Sequence, residues 1–254
     1  MTARYAVYFT PADGTALARF GAIVLGREVT THKERRNPDA AIAAHSDTGS
    51  GVKTTTGRNE DIVPFADASL WRRYTEKPAH YGFHATIKAP FELAADCTAA
   101  ELLSELSSFC ANQPAIALTD LAPTSLQAFT ALTLPTQPNE LIELAADVVK
   151  HFEPYRQELT SADRQRRQIA TLSPSQVDNL EHYGYPYIFD DFQFHMTLSD
   201  ALPPDEDRFL PWVRSIYQQM VPQTPLLDRL CVFRQVDRTT PFVRIAEFRM
   251  SETR

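Results

Sequence analysis

Cysteine is scarce in this 254-residue chain, with Cys97, Cys110 and Cys231 as its three copies. An odd number, widely spaced and never forming a Cys-x-x-Cys pair, excludes a disulfide framework and a zinc knuckle and leaves core positions as their expected place. Long apolar runs are missing too, so no membrane span is expected. Met1 to Arg4 leads straight into a strand-like pattern without the apolar stretch of a signal peptide, and the expectation is a cytoplasmic protein with no membrane partner. No glycine-rich loop follows a strand, which argues against a dinucleotide fold and a nucleotide-triphosphatase loop. Basic charge is outnumbered, 25 Lys and Arg against 32 Asp and Glu, and a net charge of −7 argues against a nucleic-acid partner. A small anionic substrate can still bind a locally basic cleft. His-x-His, His-Glu-x-x-His and Cys-His clusters are absent, and Asp190, Asp191 and Asp200 merely flank a motif, so neither a metal nor a cofactor is expected.

What is present is an ordinary globular composition, 43% hydrophobic and 22% charged, organised around two short stretches. Tyr81-Gly82-Phe83-His84-Ala85-Thr86-Ile87-Lys88-Ala89-Pro90 and Phe192-Gln193-Phe194-His195-Met196-Thr197-Leu198-Ser199 share a Phe-His-x-Thr core. Side chains alternate along a strand, so His84, Thr86 and Lys88 are expected on one face of the first stretch, and His195, Thr197 and Ser199 on one face of the second. Phe83, Ala85, Ile87, Phe194, Met196 and Leu198 then form buried faces. Two such strands facing one cleft would offer two imidazoles beside two hydroxyl donors.

In chain order, Arg4 to Phe9 reads as a strand and Thr15 to Leu25 as a helix stopped by Gly26. About 30–61 lacks hydrophobic periodicity and reads as a loop-rich insertion. A short helix is expected between Val63 and Tyr74, ending before Pro78, then the first histidine strand, a helix from Thr98 to Cys110, and strands at 115–121 and 126–134. Helices follow at 138–152 and 173–183, then the second histidine strand, a helix at 204–220, and strands at 227–236 and 242–250. Strand pairs separated by helices predict an α+β fold with mostly antiparallel sheets. Tyr5 and Tyr8 fall on opposite faces, so one of them sees the cleft; Tyr185 and Tyr187 read as core. His32, His45, His80, His151 and His182 carry no repeated pattern and read as structural, with His80 the one worth testing. Arg164, Arg166 and Arg167 read as a solvated basic cluster.

The two strands, with Arg4-Tyr5-Ala6-Val7-Tyr8-Phe9 and Tyr183-Gly184-Tyr185-Pro186-Tyr187, resemble the two-histidine phosphoesterase superfamily, and within it a bacterial branch found with phosphonate-degradation genes. The resemblance implies a single bilobal α+β domain over 1–254, two mostly antiparallel sheets with outer helices around a central groove, and no metal. It implies a cyclic phosphodiesterase with His84 and His195 as acid and base and with Thr86, Thr197, Lys88, Ser199 and Tyr8 toward substrate. The substrate implied is a small phosphorylated sugar, 5-phosphoribosyl 1,2-cyclic phosphate. Alternatives left open are a nucleotide 2′,3′-cyclic phosphodiesterase or RNA-ligase-like enzyme, and a phosphate-binding protein without catalysis. The tract at 30–61 is longer than that branch usually carries.

Overall fold

The computed structural model describes residues 3–26, 63–160, 164 and 171–251. The expected insertion at 30–61, with His32 and His45, and two of the three clustered arginines, Arg166 and Arg167, lie outside the described residues. The strands are β1 (Arg4–Phe9), β2 (Ala85–Glu92), β3 (Ile116–Ala117), β4 (Ala122–Leu126), β5 (Phe129–Thr133), β6 (His195–Thr197), β7 (Leu226–Leu227), β8 (Arg229–Gln235) and β9 (Val243–Arg249). Helices α1 (Ala16–Leu25), α2 (Ala68–Tyr81), α3 (Ala99–Ala111), α4 (Asn139–His151), α5 (Pro174–Tyr183) and α6 (Phe209–Met220) alternate with them.

Seven strands form one sheet in the order β4-β5-β6-β2-β1-β8-β9, and β3 pairs with β7 in a small second sheet; every pairing is antiparallel. The fold is α+β, with the second sheet reduced to two residues per strand. Apolar sides of α1, α2, α3, α4 and α6 join Tyr5, Val7, Phe9, Ala85, Ile87, Leu132, Met196, Leu230 and Val232 in one core. The alternate residues Ala6, Tyr8, Cys231 and Phe233, with Phe242, make a smaller cluster on the face turned away from the helices. Cys110 and Cys231 are buried as expected, whereas Cys97 is half-buried near the start of α3.

Four local expectations are corrected. Helix α2 runs through Pro78 to Tyr81 rather than stopping at Tyr74. Proline has no N–H to give to the carbonyl four residues back, and here Asp200 N–H donates to that Tyr74 carbonyl at 2.6 Å. The strand expected at 115–121 shrinks to β3, and the one expected at 126–134 becomes the hairpin β4–β5, turned at Gln127 with φ 54°. The second histidine strand keeps only His195–Thr197: the Gln137 side-chain amide takes up the Phe192 carbonyl and the Phe194 N–H, and the Leu198 and Ser199 N–H groups converge on the one Thr130 carbonyl.

Candidate active site

Both motif strands lie side by side in the middle of the large sheet. Strand β2 pairs with β6 through Ala85 opposite Met196. Continuing that antiparallel register by one residue sets His84 opposite Thr197 and Thr86 opposite His195, all four on one face, since Ala85 and Met196 fill the other. Directly opposed side chains have Cβ atoms about 4.5–5.5 Å apart and diagonal ones about 7–8 Å. The two imidazoles are the diagonal pair, a spacing that admits a phosphoryl group between them, and each has the other strand's threonine beside it.

The local geometry repeats around this crossing. His84 Nδ1 lies 2.8 Å from the Gly82 carbonyl, and His195 Nδ1 lies 2.8 Å from the Gln193 carbonyl. A carbonyl only accepts, so each Nδ1 holds a proton and donates it, which leaves each Nε2 as the exchanging nitrogen. Gly82 makes the first arrangement possible: it ends α2 at φ 81°, a conformation a side chain would strain, and its N–H caps the Pro78 carbonyl. Among the described residues, neither the Thr86 nor the Thr197 hydroxyl has a hydrogen-bond partner, and both are only half-buried.

Tyr8 is the member of the Tyr5 and Tyr8 pair that faces the site. Its ring stacks on His84 with centroids 4.0 Å apart, while Tyr5 enters the helix-side core. Phe129 stands on the other side, 6.3 Å from His195. Burial, then the charge of His195, outweighs the Gly82 hydrogen bond and lowers the His84 pKa to about 4. Burial likewise pushes the Tyr8 phenol up, so it stays protonated.

Two expected ligands are elsewhere. Register shifts between β1 and β2 put Lys88 opposite Val7, a helix-side residue, so strict alternation fails after Thr86. Lys88 is 3% exposed; its Nζ donates to the Val149 carbonyl and pairs with Glu153, both at 3.0 Å. Ser199 is beyond the end of β6 and 1% exposed. Its hydroxyl accepts from Thr130 N–H and donates to the Asp200 carbonyl, each at 2.8 Å, and so anchors the strand end to β5. Tyr187, expected in the core, is exposed, and Tyr185 is half-buried against it. Arg164 pairs with Glu181 at 2.9 Å. His80 is exposed against Tyr81, while His151 pairs with Glu105 and His182 with Asp178. No group of three or more His, Cys, Asp or Glu among the described residues is placed to hold a metal ion, and no helix among them is long and apolar enough to cross a membrane.

The carbonyl anchors of the two histidines carry no sequence signal, because any residue supplies a carbonyl. A cavity of about 360 Å³ adjoining Tyr8 was also missed. Its arginines, Arg4, Arg156 and Arg238, are scattered along the chain and form no cluster in the sequence.

A family model described as "Protein of unknown function (DUF1045)" matches residues 86–243, more than half of the chain, starting two residues after His84. A protein of Janthinobacterium sp. (strain Marseille) named "Ribose 1,5-bisphosphate phosphokinase PhnN" is 32% identical over 245 residues, covering 94% of this chain and 49% of its own length. A protein of the same name from Laribacter hongkongensis (strain HLHK9) is 26% identical, covering 83% of this chain and 42% of its own. The chain thus spans about half the length of these curated relatives. Among solved structures, Escherichia coli LigT complexed with 3′-AMP is similar at 12% identity and a TM-score of 0.39. A structure described as a phosphoesterase is similar at 13% identity and the same TM-score, and both cover 99% of either chain.

Proposed function

The chain belongs to the DUF1045 family, whose description states no function, and we propose from its site that it is a metal-independent cyclic phosphodiesterase acting on a small sugar phosphate. One observation carries the reading: the crossed pairing of His84 with Thr197 and His195 with Thr86, with both Nδ1 protons held by backbone carbonyls. A phosphodiester between the rings meets a hydroxyl donor beside each imidazole, where Thr86 and Thr197 bind the non-bridging oxygens as charge builds on them.

His84, uncharged at neutral pH, takes a proton from water through Nε2 as the water oxygen bonds to phosphorus. His195, protonated, gives its Nε2 proton to the departing sugar oxygen as that phosphorus–oxygen bond breaks, leaving an acyclic phosphomonoester and a free hydroxyl. Solvent returns both rings to their starting states. Tyr8 supports His84 by stacking beneath it. The negative ester favours the protonated form of a nearby imidazole and so brings His84 closer to its working range when substrate is bound.

The resemblance to the phosphonate-linked branch points to 5-phosphoribosyl 1,2-cyclic phosphate. Breaking its bond from phosphorus to the oxygen on carbon 2 yields ribose 1,5-bisphosphate, the compound in the relatives' name. Phosphorus NMR tests this directly, using the purified protein in excess chelator with that sugar phosphate and, separately, a 2′,3′-cyclic nucleotide. Loss of the cyclic signal from the sugar phosphate alone is expected. Opening of the nucleotide alone overturns the substrate assignment, and no reaction with either overturns the enzyme reading. His84→Ala and His195→Ala are each expected to lower kcat by about 10²–10⁴-fold with unchanged circular dichroism; near-normal turnover removes that residue from the mechanism.

A further inference from the structure

The face that carries His84 continues past Tyr8 along β1, and Arg4 stands on it four residues back. There the cavity of about 360 Å³ opens to the surface as a cleft, its volume within the roughly 300–1,000 Å³ of ordinary ligand sites. Arg4, Arg156 and Arg238 supply positive charge to its lining, and Glu92 and Glu158 oppose them. The arginines are held in different ways. Gln235 fixes the Arg4 fork through an amide oxygen, with Nε at 2.9 Å, and the guanidinium lies over the Phe242 ring at 5.4 Å. Arg156 is clamped by Glu153, by the Gln157 carbonyl at 2.9 Å and by the His182 carbonyl at 3.1 Å. Gly184 makes room for it, since an added Cβ would sit 3.0 Å from Arg156 Cδ. Arg238 pairs with Glu92 at 3.8 Å, with its side chain 45% exposed, and an exposed pair of this kind is worth little.

Tyr8 joins this cavity to the histidines. It lines the cavity, stacks on His84, and is 3% exposed, yet its hydroxyl makes no hydrogen bond among the described residues. A buried phenol without a partner is costly to leave so, and a ligand oxygen in the cavity would satisfy it.

We propose that this cavity seats a second, terminal phosphate of the substrate, so that the enzyme selects cyclic phosphates carrying a phosphomonoester about one sugar ring away from the reacting phosphorus. The inference rests on the phosphodiesterase reading and adds the group that decides which cyclic esters are taken. Arg4 and Arg238, both in the lining, contact the terminal phosphate, with Tyr8 donating from the end nearest His84. Guanidinium forks match phosphate oxygens in geometry and charge.

The test has a binding arm and a turnover arm. Ribose 5-phosphate, which carries the terminal phosphate and no cyclic ester, is titrated calorimetrically into the wild type, Arg238→Ala and Tyr8→Phe. Saturable binding is expected in the wild type, weakened about tenfold or more in each variant. In the turnover arm, kcat/KM is measured for 5-phosphoribosyl 1,2-cyclic phosphate and for ribose 1,2-cyclic phosphate, which lacks the terminal group. The wild type is expected to prefer the first about tenfold or more, and Arg238→Ala to bring the ratio toward one. Opening both esters equally leaves the phosphodiesterase reading standing and overturns this one. Opening neither, while ribose 5-phosphate binds through Arg238 and Tyr8, overturns the enzyme reading and supports the anion seat. Absent or variant-independent binding of ribose 5-phosphate overturns the seat whatever the turnover.

Discussion

His84 titrates about where its surroundings force it. Its pKa falls from the ordinary 6.5 to about 4, so the unfolded chain takes up this proton before the folded one. The stability linked to His84 is therefore fully present above about pH 6.5 and is lost as pH falls toward 4. Urea denaturation at pH 7 and pH 5 is expected to show a larger loss for the wild type than for His84→Gln; equal losses would remove the assigned shift. Lys88 has the opposite character to the one its place in the motif predicts. Lys88→Met keeps the stem but removes the bonds to Val149 and Glu153, and is expected to lower stability by about 1.5–3 kcal/mol while KM changes less than twofold. A large rise in KM with normal stability would return Lys88 to the substrate. The histidines and threonines were legible because a two-residue period survives wherever a strand is regular. Lys88 and Ser199 were not, because a register shift and a strand end both depend on the neighbouring strand, which the local pattern does not contain.

Among the elements, α2 and the two motif strands are tied more tightly than their places in the chain imply. Pro78 frees the Tyr74 carbonyl; Asp200, just past the His195 strand, fills it and also accepts from Lys77 N–H at 3.1 Å. The helix that delivers His84 is thus bonded to the segment that follows His195. Reading Pro78 as a helix stop was sound on local grounds, and the compensating donor, more than a hundred residues away, could not be seen from them. A second constraint comes from α1, whose Gly21 lets Phe83 lie on the helix backbone. An added Cβ there would meet the Phe83 ring at 2.1 Å. Gly21→Ala is expected to lower stability by about 1–3 kcal/mol through overpacking and to lower kcat as well, because the displaced Phe83 adjoins His84. Loss of stability with unchanged kcat would show that the strand absorbs the shift before it reaches the imidazole.

At the scale of the whole molecule, the large sheet has a narrow waist. Strands β4, β5 and β6 meet β2, β1, β8 and β9 through the single pair Ala85 and Met196, and the two histidines stand on either side of that seam. The α+β class and the near-duplicate strands were legible because each follows from patterns repeated along the chain. That both strands would enter one sheet as neighbours was not, since pairing partners are set by the closing of the core. A seam this thin would let the halves open separately if backbone pairing alone joined them. The core crosses it, however: Phe9 of β1 lies 6.3 Å from Phe194, and residues of both halves belong to one buried cluster. Unfolding either half would expose the apolar face of the other, which favours an all-or-none transition. Denaturation followed by fluorescence of Trp71 and Trp212, both packed with the helices, is therefore expected to coincide with the loss of far-ultraviolet circular dichroism. Two separated midpoints would mean that the halves fold independently, and that the spacing between His84 and His195 is held by the substrate rather than by the core.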